Sequence, residues 1–377
     1  MRNLPACAVL RLILICGVPG FSNPLPGAPP REAPALEWTA LPDQRLEVDG
    51  LYWYKGNQAE LLRLPLRART LVSQSVWEQA ACPSGGRIRF RTDARTLAIR
   101  LEYPSAPDML NMHSMGQTGV DLYADGIYRM TAFARADAGP GHTYERTYFR
   151  FEKEARMERE IVLYLPLYKP VKVLAIGVDT DARLMPAHRF ALPKPIVFYG
   201  TSITQGGCAS RPGLSYPALL GRMLGSDFIN LGFSGSGLGA VEEAQLVAEI
   251  DGSCFVLDFG INNGTVDALQ KVYPEFLKVI RGRHPYTPIL VITPIYESRE
   301  FWPGGEPPPW AAMRACIRAE VARRADAGDR HIAIVDGTAL LGPSDGDALT
   351  DGTHPNDYGF RLIAERLAPH LRRLLDK

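Results

Sequence analysis

The hydrophobic pattern of the chain changes its period near residue 190. From about Trp38 to Met185 the apolar residues come in short runs separated by turn residues: Leu51–Tyr54, Arg87–Thr92, Thr96–Tyr103, Val120–Tyr123, Tyr148–Glu152 and Glu160–Tyr164. Several alternate, as in Arg87-Ile88-Arg89-Phe90-Arg91, which sets Ile88 and Phe90 on one face of a strand and the arginines on the other. Long helical patterns are absent here, so the stretch predicts an antiparallel β-sandwich of jelly-roll type. Pro186, Pro193 and Pro195 then mark a boundary. Beyond it, short runs apolar on both faces begin at Ile196, Phe228, Phe255, Ile289 and Ile332. Helical patterns lie between and after them, at Tyr216–Leu224, Ala240–Ile250, Val266–Arg283, Trp310–Ala327 and Tyr358–Leu375. Parallel strands buried between helices read this way. The expected fold is α/β, a three-layer domain over 193–377 with five parallel strands, preceded by an all-β sandwich over 37–185.

Two domains also suit the length, since 377 residues exceed the usual size of one core. The charge balance, 42 basic against 41 acidic residues for a net charge of +1, gives no global electrostatic ground for a nucleic-acid or membrane-surface partner. The N-terminus differs from the rest. Leu4 to Val18 is an apolar stretch too short to span a bilayer, with small residues near Gly17 to Ser22, and it predicts a secretory signal over 1–22. Secreted or periplasmic export is the expectation. Lipid anchoring through Cys16 is disfavoured because Ile15, not a small residue, precedes it. Residues 23–36, rich in Pro, Gly and Ala, read as a linker. Cys82, Cys208, Cys254 and Cys316 are far apart, with neither CxxC nor Cys/His spacing, so no metal site is expected.

In a parallel sheet, the loops at the carboxyl ends of the strands converge on one crevice. The first strand ends in Tyr199-Gly200-Thr201-Ser202, followed by Gly206-Gly207, a tight turn able to present Ser202 at the sheet edge. A plain βα turn of small residues would look the same. After the second strand comes Gly232-Phe233-Ser234-Gly235-Ser236-Gly237, where a glycine amide could face a developing negative charge or merely serve the turn. After the third, Asn262 offers a side-chain amide, and Asn262 or Asn263 could equally cap the next helix. Before the last helix, Asp351-Gly352-Thr353-His354 supplies a base with a carboxylate three residues earlier, although Asp before Gly is also a common turn former.

Together these four blocks resemble those of the SGNH hydrolases, also called GDSL-type esterases, with Ser202, Gly235, Asn262 and His354 in order and Asp351 three before the His. The first block departs from Gly-Asp-Ser by carrying Thr201, and the third carries Asn263 where the family usually has Asp. Gly119-Val120-Asp121-Leu122-Tyr123 is similar to the signature of the GxDLY domain that precedes the hydrolase domain in exported bacterial members. The resemblance implies a serine esterase with the triad Ser202, His354 and Asp351. It implies oxyanion donors at the Ser202 amide, the Gly235 amide and Asn262, and no cofactor. It also implies substrates that are small or oligosaccharide esters, O-acetylated carbohydrates among them. A lipid or lysophospholipid esterase is the alternative within enzymes, and a noncatalytic glycan-binding protein the alternative outside them. No nucleic-acid partner and no membrane insertion after leader removal are expected. If His354 is the base, turnover falls in acid as it protonates. The loop Tyr296–Pro309, with Phe301 and Trp302, is long enough to form a rim of the crevice.

Overall fold

A computed structural model describes residues 35–376 except 136–137, 152–154, 303, 305 and 307. The expected leader, with Cys7 and Cys16, and nearly all of the expected linker lie outside the described residues. Leu36–Lys377 form one compact unit. No helix among the described residues is long and apolar enough to cross a membrane.

The first half carries strands β1 (Leu36–Thr39), β2 (Glu47–Asp49), β3 (Arg87–Thr92), β4 (Thr96–Glu102), β5 (Val120–Ala124), β6 (Ile127–Ala132), β7 (Thr143–Arg150), β8 (Arg159–Tyr164), β9 (Lys172–Asp179) and β10 (Leu184–Met185). They build two antiparallel sheets, ordered β1-β9-β4-β7 and β10-β3-β8-β5-β6, with β2 beside β3. Ile88, Phe90, Leu122 and Leu163 of one sheet meet Leu97, Ile99, Ile176 and Val178 of the other in a shared core. Burial of these side chains is worth about 1.5–3 kcal/mol each.

Two expectations change here. Leu51–Tyr54 is a series of turns, not a strand: Leu51 and Tyr54 enter the sandwich core while Trp53 packs on the core of the second half. A chain that must feed two cores cannot keep the two-residue period of a strand. The strand expected from Tyr148 begins at Thr143. The arginine face of β3 is covered over Arg87 and Arg89. Arg87 is buried against the second half, where it pairs with Asp227 and lies over the Phe228 ring at 4.0 Å, and Arg89 is buried under the boundary segment, stacking on Phe190 at 3.8 Å. Two short helices interrupt the strands, α1 (Gln74–Ala80) and α2 (Ser114–Thr118).

The second half alternates β11 (Ile196–Gly200), α3 (Ser202–Gln205), α4 (Tyr216–Leu224), β12 (Phe228–Gly232), α5 (Val241–Ala248), β13 (Cys254–Asp258), α6 (Val266–Arg283), β14 (Ile289–Ile292), α7 (Trp310–Asp326), β15 (Ile332–Val335), α8 (Gly337–Leu340) and α9 (Asp357–Leu375). The sheet is parallel, in the order β12-β11-β13-β14-β15, the flavodoxin-like arrangement. Alternate residues of each strand serve two faces. Val197 and Tyr199 join α5, α6 and α7, and Ile196 and Phe198 join α4 and α9. The first half enters both layers, with Leu64, Ala68, Val76 and Ala80 in one and Met112, Tyr123, Tyr164 and Leu167 in the other.

The register fixes where the loops emerge. Gly200 pairs with Gly232 on one side and with Asp258 on the other, so β12, β11 and β13 end on one level at the strand-order switch point. Ser202, Gly235 and Asn262 follow these ends by two, three and four residues.

Candidate active site

Tight backbone contacts dictate the turn after β11. A Cβ on Gly200 would lie 2.1 Å from Thr204 Oγ1 and 2.4 Å from the Asp258 carbonyl. Thr201 then caps the single-turn helix α3, and Gly206 ends it with φ +113°. Below the turn, Thr204 Oγ1 and Tyr216 Oη each donate to Asp258 Oδ2 at 3.0 Å. Burial pushes the Asp258 carboxyl up to about 6 in spite of the Tyr216 and Thr204 bonds, which pull the other way. Ser202 is thereby pinned from beneath to the end of the neighbouring strand.

Ser202 Oγ lies 2.9 Å from His354 Nε2, and His354 Nδ1 lies 2.8 Å from Asp351 Oδ2. A carboxylate only accepts, so Nδ1 carries the proton and Nε2 is left as the acceptor for the serine hydroxyl. Asp351 Oδ1 takes the backbone N–H groups of Thr353 at 3.1 Å and His354 at 2.8 Å, and Oδ2 takes the side-chain amide of Asn111 at 2.9 Å. Desolvation disfavours the charged carboxyl. The His354 N–H, the Asn111 amide and the His354 ring outweigh it and hold Asp351 well below the usual carboxylate range.

Gly235 has φ +67°, with open space where a Cβ would stand. The N–H groups of Ser236 and Gly237 are spent on the Phe233 carbonyl and that of Ser234 on Gln205 Oε1, so within this turn Gly235 is left to face the cleft. Asn262 Nδ2 is buried without an acceptor, whereas Asn263 Nδ2 donates to the Leu238 carbonyl. Neither Asn caps α6; Thr265 does, accepting from the Ala268 N–H. An unpaired buried amide is costly, which suits a donor waiting for a ligand oxygen. Ser202, Gly235, Asn262 and His354 line one cleft of about 330 Å³, together with Arg299, Trp310 and Thr353. The structure thus brings together Ser202, His354, Asp351, Gly235 and Asn262.

Comparison with known proteins gives a family. A model of the GDSL-like lipase/acylhydrolase family matches residues 193–372, and a model of the GxDLY N-terminus of SGNH hydrolase-type esterases matches residues 36–184. The chain belongs to this family. The family is one of lipases and acylhydrolases. A GDSL-like lipase structure from Bacteroides ovatus is 28% identical, covers 91% of this chain and 98% of its own, and has a TM-score of 0.81. The salicylyl-acyltransferase SsfX3 from a tetracycline biosynthetic pathway is 22% identical, with coverages of 90% and 97% and a TM-score of 0.74. A family two carbohydrate esterase from Clostridium thermocellum in complex with cellohexaose is 16% identical, with coverages of 78% and 93% and a TM-score of 0.59. The last two share the fold. No curated protein matches the chain.

In this GDSL-type chain the GxDLY motif acts as a clamp. Asp121, fully buried, accepts from Arg211 Nη1 at 3.0 Å, from the Gly213 N–H at 2.8 Å and from Thr131 Oγ1 at 2.6 Å. Tyr123 Oη takes a second bond from Arg211 at 2.7 Å. The Gly206–Pro212 wall beside Ser202 is therefore tied to the sandwich.

Sequence reasoning missed further braces. Gln205 links Ser202's turn to the Gly235 turn through Ser234 and to the sandwich by donating to the Leu167 carbonyl at 3.0 Å. Arg63 donates to the carbonyls of Asn230 and Gly232, and Gln79 donates to that of Ser234 at 2.8 Å. Their partners lie 29 to 169 residues away in sequence and are backbone atoms, so no local spacing announces them.

The Tyr296–Pro309 loop is joined to the His354 loop. The Ser298 N–H donates to the Gly352 carbonyl at 2.9 Å and Thr353 Oγ1 to the buried Glu297 at 2.9 Å, while Phe301 and Trp302 stay exposed.

Cys208, Asp351 and His354 bring ligand-type atoms within 4.8 Å of one another. They suit a metal poorly: both ring nitrogens of His354 are engaged, and burial, followed by the Asp351 charge, pushes the Cys208 thiol up to about 12.

Proposed function

We propose that the protein is an exported serine esterase that removes O-acetyl groups from carbohydrates through an acyl-enzyme on Ser202. The observation that carries this reading is the continuous line of hydrogen bonds from Ser202 Oγ through His354 to Asp351, opening on a cleft with an unpaired Asn262 amide. Ser202 Oγ attacks the ester carbonyl as its proton passes to His354 Nε2. Asp351 keeps the imidazole in the needed tautomer and stabilises the imidazolium. The oxyanion accepts from the amides of Ser202 and Gly235 and from Asn262 Nδ2. Collapse of the tetrahedral adduct breaks the bond to the sugar oxygen, which leaves with the proton from Nε2. Water then repeats the sequence on the acyl-enzyme, releasing acetate and restoring the Ser202 hydroxyl.

The carbohydrate assignment is supported by the exposed Phe301 and Trp302 on the loop joined to the His354 loop, flat apolar faces of the kind a sugar ring can stack on. The carbohydrate esterase among the neighbours, solved with cellohexaose, supports the same class. Export is supported by the apolar stretch at Leu4 to Val18. Hydrolysis of p-nitrophenyl acetate, followed by acetate release from acetylated xylan, mannan, pectin and acetylated simple sugars, tests the reading. Activity in the parent and its loss in Ser202→Ala are expected. Equal rates in the two would end the esterase mechanism, and release from none of the carbohydrates would end the substrate assignment.

A further inference from the structure

We propose that Asn111, a residue of the N-terminal half, is a positioning residue for the reaction: it holds the Asp351 carboxylate in line with His354. The proposal rests on the Ser202-His354-Asp351 reading above. Asn111 Nδ2 lies 2.9 Å from Asp351 Oδ2, the same oxygen that accepts from His354 Nδ1. Since a carboxylate cannot donate, only the amide nitrogen of Asn111 can face it.

The segment that presents Asn111 is built for rigidity. Gln117, buried in α2, accepts from the N–H groups of Asp108 at 2.9 Å and Met109 at 3.0 Å. Its own amide donates to the carbonyls of Met109 at 2.9 Å and Met112 at 2.7 Å. Four bonds from one side chain thus shape the turn around Asn111. Met112 is buried in the same core as Ile203 and Ala209, and the close approach of α2 is visible at Gly116, where a Cβ would stand 2.2 Å from the Ala209 carbonyl. The turn is therefore anchored to the wall beside Ser202, and Asn111 reaches the carboxylate from a fixed base.

With both Asn111 and His354 on Oδ2, and two backbone amides on Oδ1, the carboxylate cannot rotate away from the imidazole. The bond also tunes the pair. One donor fewer leaves Asp351 a stronger partner for the imidazolium, which favours protonated His354. Charged or titratable side chains on the neighbouring elements include Cys208 from the Ser202 wall, Glu297 and Arg299 from the rim loop, and the Lys169–Asp108 pair on the Asn111 side. None of them changes in the variants proposed.

The test is the pH profile of kcat/KM for p-nitrophenyl acetate in the parent, Asn111→Ala, Asn111→Asp and Ser202→Ala, with thermal unfolding of each as a folding control. Removing the donor should lower kcat roughly 10-fold to 100-fold, as for one hydrogen bond to a charged group. The acid limb should move to higher pH, and further in Asn111→Asp, where a second carboxylate stands beside the imidazolium. A role confined to packing would change the unfolding temperature and the activity without moving the limb. Unmoved limbs in both folded Asn111 variants, with Ser202→Ala inactive, overturn the proposal. An active Ser202→Ala overturns the triad on which it rests.

Discussion

At the scale of single residues, the feature most directly open to test is the buried Asn262 amide that has no acceptor. The amide nitrogen of the adjacent Asn263, by contrast, donates to the Leu238 carbonyl at 2.8 Å, as a structural amide does. In the proposed mechanism the acceptor appears only when the carbonyl carbon becomes tetrahedral, so the bond contributes chiefly to the transition state. Asn262→Ala should therefore cut kcat by about 10²–10³ with little change in KM, the usual loss for one oxyanion donor. Steady-state kinetics on p-nitrophenyl acetate read this directly. A rise in KM at unchanged kcat would assign Asn262 to substrate binding instead. Because the side chain is unpaired in the resting protein, the substitution leaves no partner stranded, and stability should hold or rise slightly.

At the scale of elements, the site is as precise as the joints between β11, the Gly235 turn and α5. Tyr199, the last large residue before Gly200, donates to Glu243 on α5 and accepts from the Gly239 N–H at 2.9 Å, so one phenol ties strand, turn and helix. Burial pushes the Glu243 carboxyl up to about 7; the Tyr199 bond opposes this and the Glu242 charge adds to it. The sign follows from the folded value lying above the unfolded one. The contribution to stability is complete below about pH 4.5 and is lost as pH rises through about 7, on the order of 3 kcal/mol in all. Glu243→Gln keeps an acceptor for Tyr199 and cannot ionise. Its unfolding temperature should change less between pH 5 and pH 8 than the parent's and exceed the parent's at pH 8. Parallel curves for the two proteins would show that Glu243 does not titrate in this range.

Much of this scale is readable in the sequence. Buried parallel strands show themselves as runs apolar on both faces, as at Ile196–Tyr199, and the loops after them carry Ser202, Gly235 and Asn262 in order. What escapes is whatever depends on a distant partner. The arginines of β3 show no partner in the sequence, because alternation tells one side from the other but not what covers either side. Leu51–Tyr54 looks like a strand because its apolar residues are adjacent, although they feed two different cores. Asp121 and Tyr123 stand out as a motif, yet their work becomes visible only beside Arg211.

For the molecule as a whole, the two halves share the frame of the candidate site, and Arg63 tests how strongly they depend on each other. Its guanidinium is almost wholly buried, has no carboxylate partner among the described residues, and serves the carbonyls of Asn230, Gly232 and Gln79 while lying 4.6 Å from the Phe233 ring centre. Desolvation pulls it down to about 10, a cost to the charged form on the order of 3 kcal/mol. Against this stand three carbonyls that would lose a donor in a buried setting, about 1–3 kcal/mol each, and a desolvated cation–π contact of about 2 kcal/mol. The bonds outweigh the desolvation, so Arg63→Met should lower unfolding stability by about 2–8 kcal/mol in urea. Arg63→Lys should recover little, since one ammonium cannot reach both α1 and the end of β12. Gly232 immediately precedes the turn that carries Gly235, so kcat should fall further than KM rises even below the unfolding midpoint. A folded Arg63→Met as stable and as active as the parent would mean that the first half merely lies against the catalytic sheet; the expected losses would make it a structural part of the oxyanion site.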